Sequence, residues 1–509
     1  MGELLRQWRY HRWMLSTSSP ARRSDSPALW RRVIALIAAL AVSAPSVAQT
    51  NNLPNLGETS QGALSPQNER RIADMIMREV RRHPQYVDDP ESAYFIETIG
   101  RRLVAVSDEP GAEFEFILIR DNTINAFAMP GGVVGVHTGL ITAAQTEAEL
   151  AGVLAHEVSH VTQRHIARQM DRQNQLTWPM LAAMALGLLA ARSNPQITQA
   201  AIVGSQAAAI QASLNYSRDF EREADRVGFQ LLEQSGFDVN GMPAFFERLG
   251  RATQFQEANA PAYLRTHPLN TERMADLQNR AASVRYRQTP DSLEFHLVRA
   301  KLRGQLGGAR DIAATLEAQL KDKRFVSEGP LHYGLAVAWA RAREWKRATD
   351  HLSEATRLSG RHGMFETLAA SIQVNQGQGV VARDRLAQAI RDFGPLTYLK
   401  VAYSETLQGL GQHAEALAAL EDLSKSRPRD SRLHSMLAKS YAGVGNRALQ
   451  HRQQAEYYYL LGSIPAAIEQ LQLARSSRDA DFYLQSSVDA RIRALRVQAD
   501  EEKKNPVKF

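Results

Sequence analysis

The chain of 509 residues contains no cysteine. That absence removes disulfides, thiolate metal sites and a cysteine nucleophile together, so catalysis must use histidine, carboxylate, hydroxyl or a metal. No G-x-S-x-G elbow and no Walker-type Gly-Lys pair occurs, so serine hydrolase and P-loop chemistries lack their signatures. With 44% hydrophobic residues, 31 Gly and 20 Pro, neither a disordered nor a collagen-like polymer fits, and the length calls for at least two domains. The net charge of +7 is concentrated at the start. Residues 1–48 carry Arg6, Arg9, Arg12, Arg22, Arg23, Arg31 and Arg32 against Glu3 and Asp25, a net +5 that leaves +2 for the remainder. A nearly neutral body gives no electrostatic case for a nucleic-acid partner.

Long apolar runs are also scarce. Arg31 and Arg32 precede the run 33–42, and Ser46-Val47-Ala48 supplies the small residues a signal peptidase reads. Residues 1–48 are therefore expected to be a secretory signal peptide cleaved after Ala48, with an uncleaved anchor as the alternative; the run is short against the ~20 residues of a spanning helix. The mature chain is expected to be exported, soluble or peripheral; the resemblance given below implies the periplasm. Residues 178–191 form a second apolar run of fourteen, followed by the break Ser193-Asn194-Pro195 and an Ala-rich stretch at 200–212. A buried helix pair is expected there, with peripheral membrane contact as the alternative.

After a linker at 49–63, Ser65-Pro66 opens an amphipathic helix to about His83, with Ser as cap and Pro at the first position. Residues 114–119 and 133–137 read as short strands, with Asn125-Ala126-Phe127-Ala128 a third candidate between them and Pro130-Gly131-Gly132 a turn. Thr146 and Glu149 form a capping box, and apolar spacing predicts one helix from there to about Met170. From about residue 290 a period appears: Arg343, Gly377, Gly411 and Gly445 are 34 residues apart, at turns between helices. Ala348 and Leu352, Ala382 and Leu386, and Ala416 and Leu420 follow at constant offsets, as do Ala467 and Leu471 after Gly462, and Ile312 and Leu316 after Gly307. The unit at Gly445 departs, with Gln450 and Gln454 at those places. This pattern resembles the tetratricopeptide repeat, which stacks helix pairs into a solenoid.

His156-Glu157-Val158-Ser159-His160 is an H-E-x-x-H pattern inside the predicted helix. Residues four apart lie ~40° from each other around a helix, so both imidazoles reach one ion and Glu157 projects beside them. Two imidazoles leave a divalent zinc short of a third protein ligand. A metzincin would place a histidine ten residues after His156, where Ile166 stands. On a continuous helix His165 lies ~140° from His160 and is expected on the surface. Glu221 is the better candidate, because in Arg218-Asp219-Phe220-Glu221-Arg222-Glu223-Ala224-Asp225 a helix puts Glu221 and Asp225 on one face, with Glu223 pointing elsewhere. An exposed charged helix is the alternative for this segment, and a plain loop histidine is the alternative for His267 in Thr266-His267-Pro268.

HEVSH followed about sixty residues later by E-x-x-A-D resembles the gluzincin metallopeptidases of the HtpX and CAAX prenyl protease types, and Asn125 to Gly132 matches them too. With the leader and the repeat tail, the chain is most similar to the periplasmic BepA-type proteases. The resemblance implies one zinc per chain on His156, His160 and Glu221, with Glu157 as general base and Asp225 as ligand support or proton donor. It implies that Asn125, Ala126, Phe127 and Ala128 form the edge strand on which a peptide substrate lies, and that His267 is a latch over the open zinc position. His137 is expected to pack. The expected architecture is α+β and mostly α: a zincin-type metallopeptidase domain at 64–285 with a small β-sheet, an all-α repeat solenoid at 290–490, and a charged tail at 491–509. The implied function is zinc endopeptidase action on unfolded or misassembled envelope proteins, with the repeats engaging the outer-membrane β-barrel assembly machinery. The rival expectation is a chaperone or scaffold working through the solenoid, with a latched, weakly active metal site.

Overall fold

The computed structural model describes residues 65–173, 218–253, 261–285 and 289–504, all of which belong to one compact unit. The leader, the linker and the apolar stretches 178–191 and 200–212 lie outside the described residues. Among the described residues no helix is long and apolar enough to cross a membrane.

Helix α1 (Pro66–Arg82) starts where expected: the Ser65 hydroxyl accepts from the Asn68 amide, and Ile72, Ile76 and Val80 face the core at helical spacing. Helix α2 (Pro90–Val104) is capped the same way by Asp89, which accepts from Ser92. Strands β1 (Glu115–Ile119), β2 (Ala126–Met129) and β3 (Val133–His137) form a sheet in the order β1-β3-β2, with β1 parallel and β2 antiparallel to β3. Central β3 is buried along its whole length, as its unbroken Val-Val-Gly-Val run requires. Helix α3 (Thr138–Ala143) leads to α4 (Glu147–Thr162), which carries the H-E-x-x-H residues. Thr146 accepts from the Glu149 amide, but Glu149 reaches back to the Gln145 amide at 2.7 Å, one residue beyond the reciprocal bond of a simple capping box.

The single helix predicted to Met170 is in fact two. The chain breaks at Arg164, whose φ of 51° is the left-handed conformation that favours glycine, and resumes as α5 (His165–Gln173). Helices α6 (Arg218–Gln234), α7 (Gly241–Thr253), α8 (Ala262–Thr266) and α9 (Thr271–Ser283) complete the peptidase region. Helix α4 packs against α2, β2, α6 and α7, so it is buried on nearly every side. Gly228 allows α6 to come this close: a Cβ there would stand 3.0 Å from the His156 amide nitrogen.

The remaining helices are α10 (Leu293–Gly304), α11 (Ala309–Lys321), α12 (Glu328–Arg341), α13 (Trp345–Ser359), α14 (Gly363–Asn375), α15 (Gly379–Phe393), α16 (Thr397–Gly409), α17 (His413–Ser426), α18 (Ser431–Gly443), α19 (Arg447–Leu460), α20 (Ile464–Ser476) and α21 (Phe482–Lys504). The turn positions read from the period all have positive φ: Gly307 50°, Arg343 60°, Gly377 78°, Gly411 75°, Gly445 80° and Gly462 80°. Ala348, Ala382, Ala416 and Ala467 are fully buried where helices cross. The departing unit has a physical explanation. Gly445 and Gly462 are 17 residues apart, half a period, and α19 between them packs on both α18 and α20. It buries Ala448 and Ala455 in place of the usual pair. The charged stretch expected as a tail from 491 is the second half of α21, helical to Lys504, and Val488, Ile492 and Leu495 give that helix an apolar stripe against α20.

The two regions share an interface rich in ions. Lys301 of α10 reaches Asp89 and Glu91 at the start of α2, and the Thr367 hydroxyl of α14 donates to Glu91. Arg427 pairs with Glu97, Arg429 with Asp74, and Arg78 of α1 with Glu502 of α21.

Candidate metal centre

Helix α4 presents His156 and His160 one turn apart, their Nε2 atoms 3.0 Å from each other. Helix α6 brings Glu221 from the facing side, with carboxylate oxygens 3.5 Å from His156 Nε2 and 3.4 Å from His160 Nε2. His267, just after α8, is 1% exposed and enters the same cluster: its Nδ1 lies 3.3 Å from His156 Nε2 and 3.0 Å from Glu221. The structure therefore brings together all four metal and latch candidates, which offer atoms within 4.8 Å of one another. Glu157 is fully buried beside them, its Oε1 3.5 Å from His267 Nε2, and neither of its oxygens has a hydrogen-bond partner. Two imidazoles, a carboxylate and an orphaned second carboxylate at one point are a donor set that fits a divalent cation.

Asp225 lies one turn from Glu221 on α6, as the spacing requires, with Oδ1 3.0 Å from His156 Nδ1. Arg273 of α9 donates to both Asp225 oxygens at 2.6 and 2.7 Å and also pairs with Glu221 at 2.8 Å. Burial disfavours charge on Asp225, but these Arg273 bonds outweigh it and hold its pKa below the usual value.

The same competition sets the other groups. Burial works against charge on His156, yet Asp225 and Glu221 prevail and lift its pKa to about 9. At His160 burial dominates and the pKa falls well below the ordinary histidine value. Burial pushes Glu157 up. Glu221 is buried too, but His267, His156 and His160 around it keep it well below the carboxylate range. The carboxylates thus draw positive charge into the centre, the charge that a cation would supply.

One expectation is corrected. His165 is not a surface residue: it is fully buried, with Nδ1 2.8 Å from His160 Nδ1. Glu223 points away from the face of Glu221 and Asp225, and there its Oε2 lies 3.2 Å from His165 Nε2 and accepts from Arg168 at 2.9 Å. The cause is the break at Arg164, which removes the helical phase on which that expectation rested. His137 packs as expected, edge-on to Phe127, with Nδ1 3.0 Å from the Thr123 hydroxyl.

β2 spans Ala126–Met129 and pairs only with β3 among the described strands, so Ala126, Phe127 and Ala128 stand on an edge, with Asn125 just before it. A cleft of about 380 Å³ opens beside His160 and is walled by Pro66, Glu69, Met129, Gly131 and Arg164. Sequence reasoning missed Arg273 and Tyr263. Arg273 stands three residues after the cap Asn270, where it reads as an ordinary first-turn residue; Tyr263, fully buried, stacks on His267 at 4.7 Å.

A helical H-E-x-x-H pair completed by a glutamate from a second helix defines a metallopeptidase, and residues 90–281 match Peptidase family M48. The chain is 34% identical over 471 residues to the "Beta-barrel assembly-enhancing protease" of Escherichia coli (strain K12), covering 91% of this chain and 96% of that protein. It is 30% identical to the "Putative beta-barrel assembly-enhancing protease" of Vibrio cholerae, over 90% of this chain and 95% of that one. "Mitochondrial metalloendopeptidase OMA1" of Schizosaccharomyces pombe is 32% identical over 41% of this chain and 60% of its own length. The chain belongs to the beta-barrel assembly-enhancing protease family.

Proposed function

We propose that the protein is an exported zinc endopeptidase of the periplasm, holding one zinc per chain and acting on unfolded or misassembled outer-membrane β-barrel proteins. The observation that carries the reading is the convergence of His156, His160 and Glu221 on one point with Glu157, buried and accepting no hydrogen bond, beside it. The printed name of the relatives supports the client class, and the Arg31-Arg32 leader supports export. The repeat domain would recruit clients or the assembly machinery.

His156, His160 and Glu221 would hold the ion. When bound, zinc supplies Lewis-acid activation of water and of the scissile carbonyl. Glu157 takes the water proton on a carboxylate oxygen and returns it to the leaving amine; a carboxyl whose pKa burial has raised suits both steps. Of the two roles open to Asp225, the Arg273 fork and the contact with His156 favour holding the ligand ring over donating a proton. The open edge of β2 would hold an extended peptide by main-chain pairing, with the unpartnered Asn125 Oδ1 near its end.

His267 favours a second reading of the same site. Its imidazole lies 3.3 Å from His156 Nε2 and 3.0 Å from Glu221 and would serve as a fourth ligand, so a latched form would act chiefly through the repeats until the ring withdraws. The purified protein should contain about one zinc and cleave an unfolded substrate. Glu157→Gln should keep the metal and lose cleavage; cleavage that survives the substitution refutes the proposed base.

A further inference from the structure

We propose that His165 and Glu223 are a positioning pair that aims His160 at the cation, the counterpart of Asp225 and Arg273 behind His156. The inference rests on the metal-centre reading and adds residues to it. The Nε2 atoms of His156 and His160 face each other at 3.0 Å, so the Nδ1 atoms are the far corners of the two rings. Ligation through Nε2 fixes a proton on each Nδ1, and in a buried site that N–H needs an acceptor.

For His156 the acceptor within reach is the Asp225 carboxylate, whose Oδ1 stands 3.0 Å from Nδ1 without yet being aligned for a hydrogen bond. For His160 it is an imidazole, His165 Nδ1 at 2.8 Å. An imidazole nitrogen accepts only when its proton sits on the other nitrogen. Glu223 Oε2, 3.2 Å from His165 Nε2, provides the acceptor that places the proton there, and Arg168 anchors Glu223 at 2.9 Å. Each ligand imidazole is therefore backed by a carboxylate and an arginine, directly for His156 and through one intervening ring for His160. Two features hold that ring in place. The left-handed Arg164 swings His165 back toward His160, and Phe220 stacks on it at 4.6 Å and 15°. A left-handed backbone at a non-glycine residue is held by its surroundings, here the Arg164 pair with Glu69 at 3.0 Å.

A packing role for His165 against Phe220 and a hydrogen-bonding role toward His160 make different predictions. Asparagine keeps an acceptor near the Nδ1 position, whereas leucine keeps bulk and offers none. Zinc affinity of the full-length protein is measured by chelator competition for wild type, His165→Leu, His165→Asn and Glu223→Gln, with thermal unfolding of each metal-free protein as the folding control. His165→Leu should bind zinc about 10–100-fold more weakly, the usual loss when a group supporting a ligand is removed. His165→Asn should recover most of that loss, and Glu223→Gln should fall between. Wild-type affinity in both His165→Leu and Glu223→Gln overturns the pair, and so does His165→Asn binding as weakly as His165→Leu. If His165→Leu fails to fold, wild-type affinity in Glu223→Gln overturns it alone. A wild-type protein that takes up no zinc overturns instead the metal-centre reading beneath it.

Discussion

Replacing Lys301 with methionine tests the ionic joint between the peptidase region and the repeats. Its ammonium lies 2.6 Å from Asp89 and 2.5 Å from Glu91, and the three side chains are 13%, 19% and 9% exposed. Removing the cation strands two carboxylates within one pocket. Breaking a buried pair from one side costs about 3–5 kcal/mol, and the residual exposure here argues for the lower end, about 3 kcal/mol. With a urea m-value near 3 kcal/mol/M, that becomes a midpoint shift of about 1 M, read by far-UV circular dichroism. Adding Asp89→Asn and Glu91→Gln to Lys301→Met should recover most of the loss, since the charges go together and asparagine still caps α2. The pH dependence follows the same groups. Burial opposes charge on Asp89, but Lys301 and Ser92 hold its pKa below the usual value, so its contribution is complete above ~3.9 and lost as pH falls through the lower folded value. Burial likewise opposes Lys301, but Glu91 and Asp89 raise it, so its contribution is complete below ~10.4 and lost as pH rises through the higher folded value. The joint should hold steady between about pH 4 and 10, and in Lys301→Met the acid limb should begin at higher pH. A Lys301→Met midpoint that matches wild type would refute the reasoning.

Three further perturbations probe other parts of the molecule. His267→Ala should raise proteolysis at unchanged zinc content if the ring blocks the fourth position; a peptide-release assay showing equal or lower activity counts against a latch. Arg273→Met removes the cation shared by Asp225 and Glu221 and should destabilise the metal-free protein by about 3 kcal/mol, with zinc restoring part of it, as followed by thermal unfolding with and without metal. Ala382→Phe forces bulk into a fully buried helix crossing and should cost about 1–3 kcal/mol, visible as a lower urea midpoint with zinc content unchanged.

Much of this architecture is legible in the chain because its signals are local. Ser65-Pro66 marks a helix start with one side-chain bond, the 34-residue period marks turns whose φ values are all positive, and H-E-x-x-H marks a ligand pair through helix geometry alone. What stays hidden depends on neighbours distant in sequence. An arginine at φ 51° has no sequence signature, so the break after Gln163 cannot be read, and with it goes the placement of His165 between His160 and Glu223. Arg273 is equally silent, because what distinguishes it is Asp225, 48 residues earlier. The stretch from 491 reads as a charged tail until Ile492 and Leu495 are matched, with Val488 just before them, to α20.

The Arg78–Glu502 pair at 2.9 Å fastens the last described helix to the first, and Arg71–Glu501 lies two turns away along α1. A helical array with a free end behaves as a spring, but one whose far end is tied back behaves as a buckled strap. Tension from a cargo gripping α21 would run through that clasp into α1, whose first turn forms one bank of the cleft beside His160.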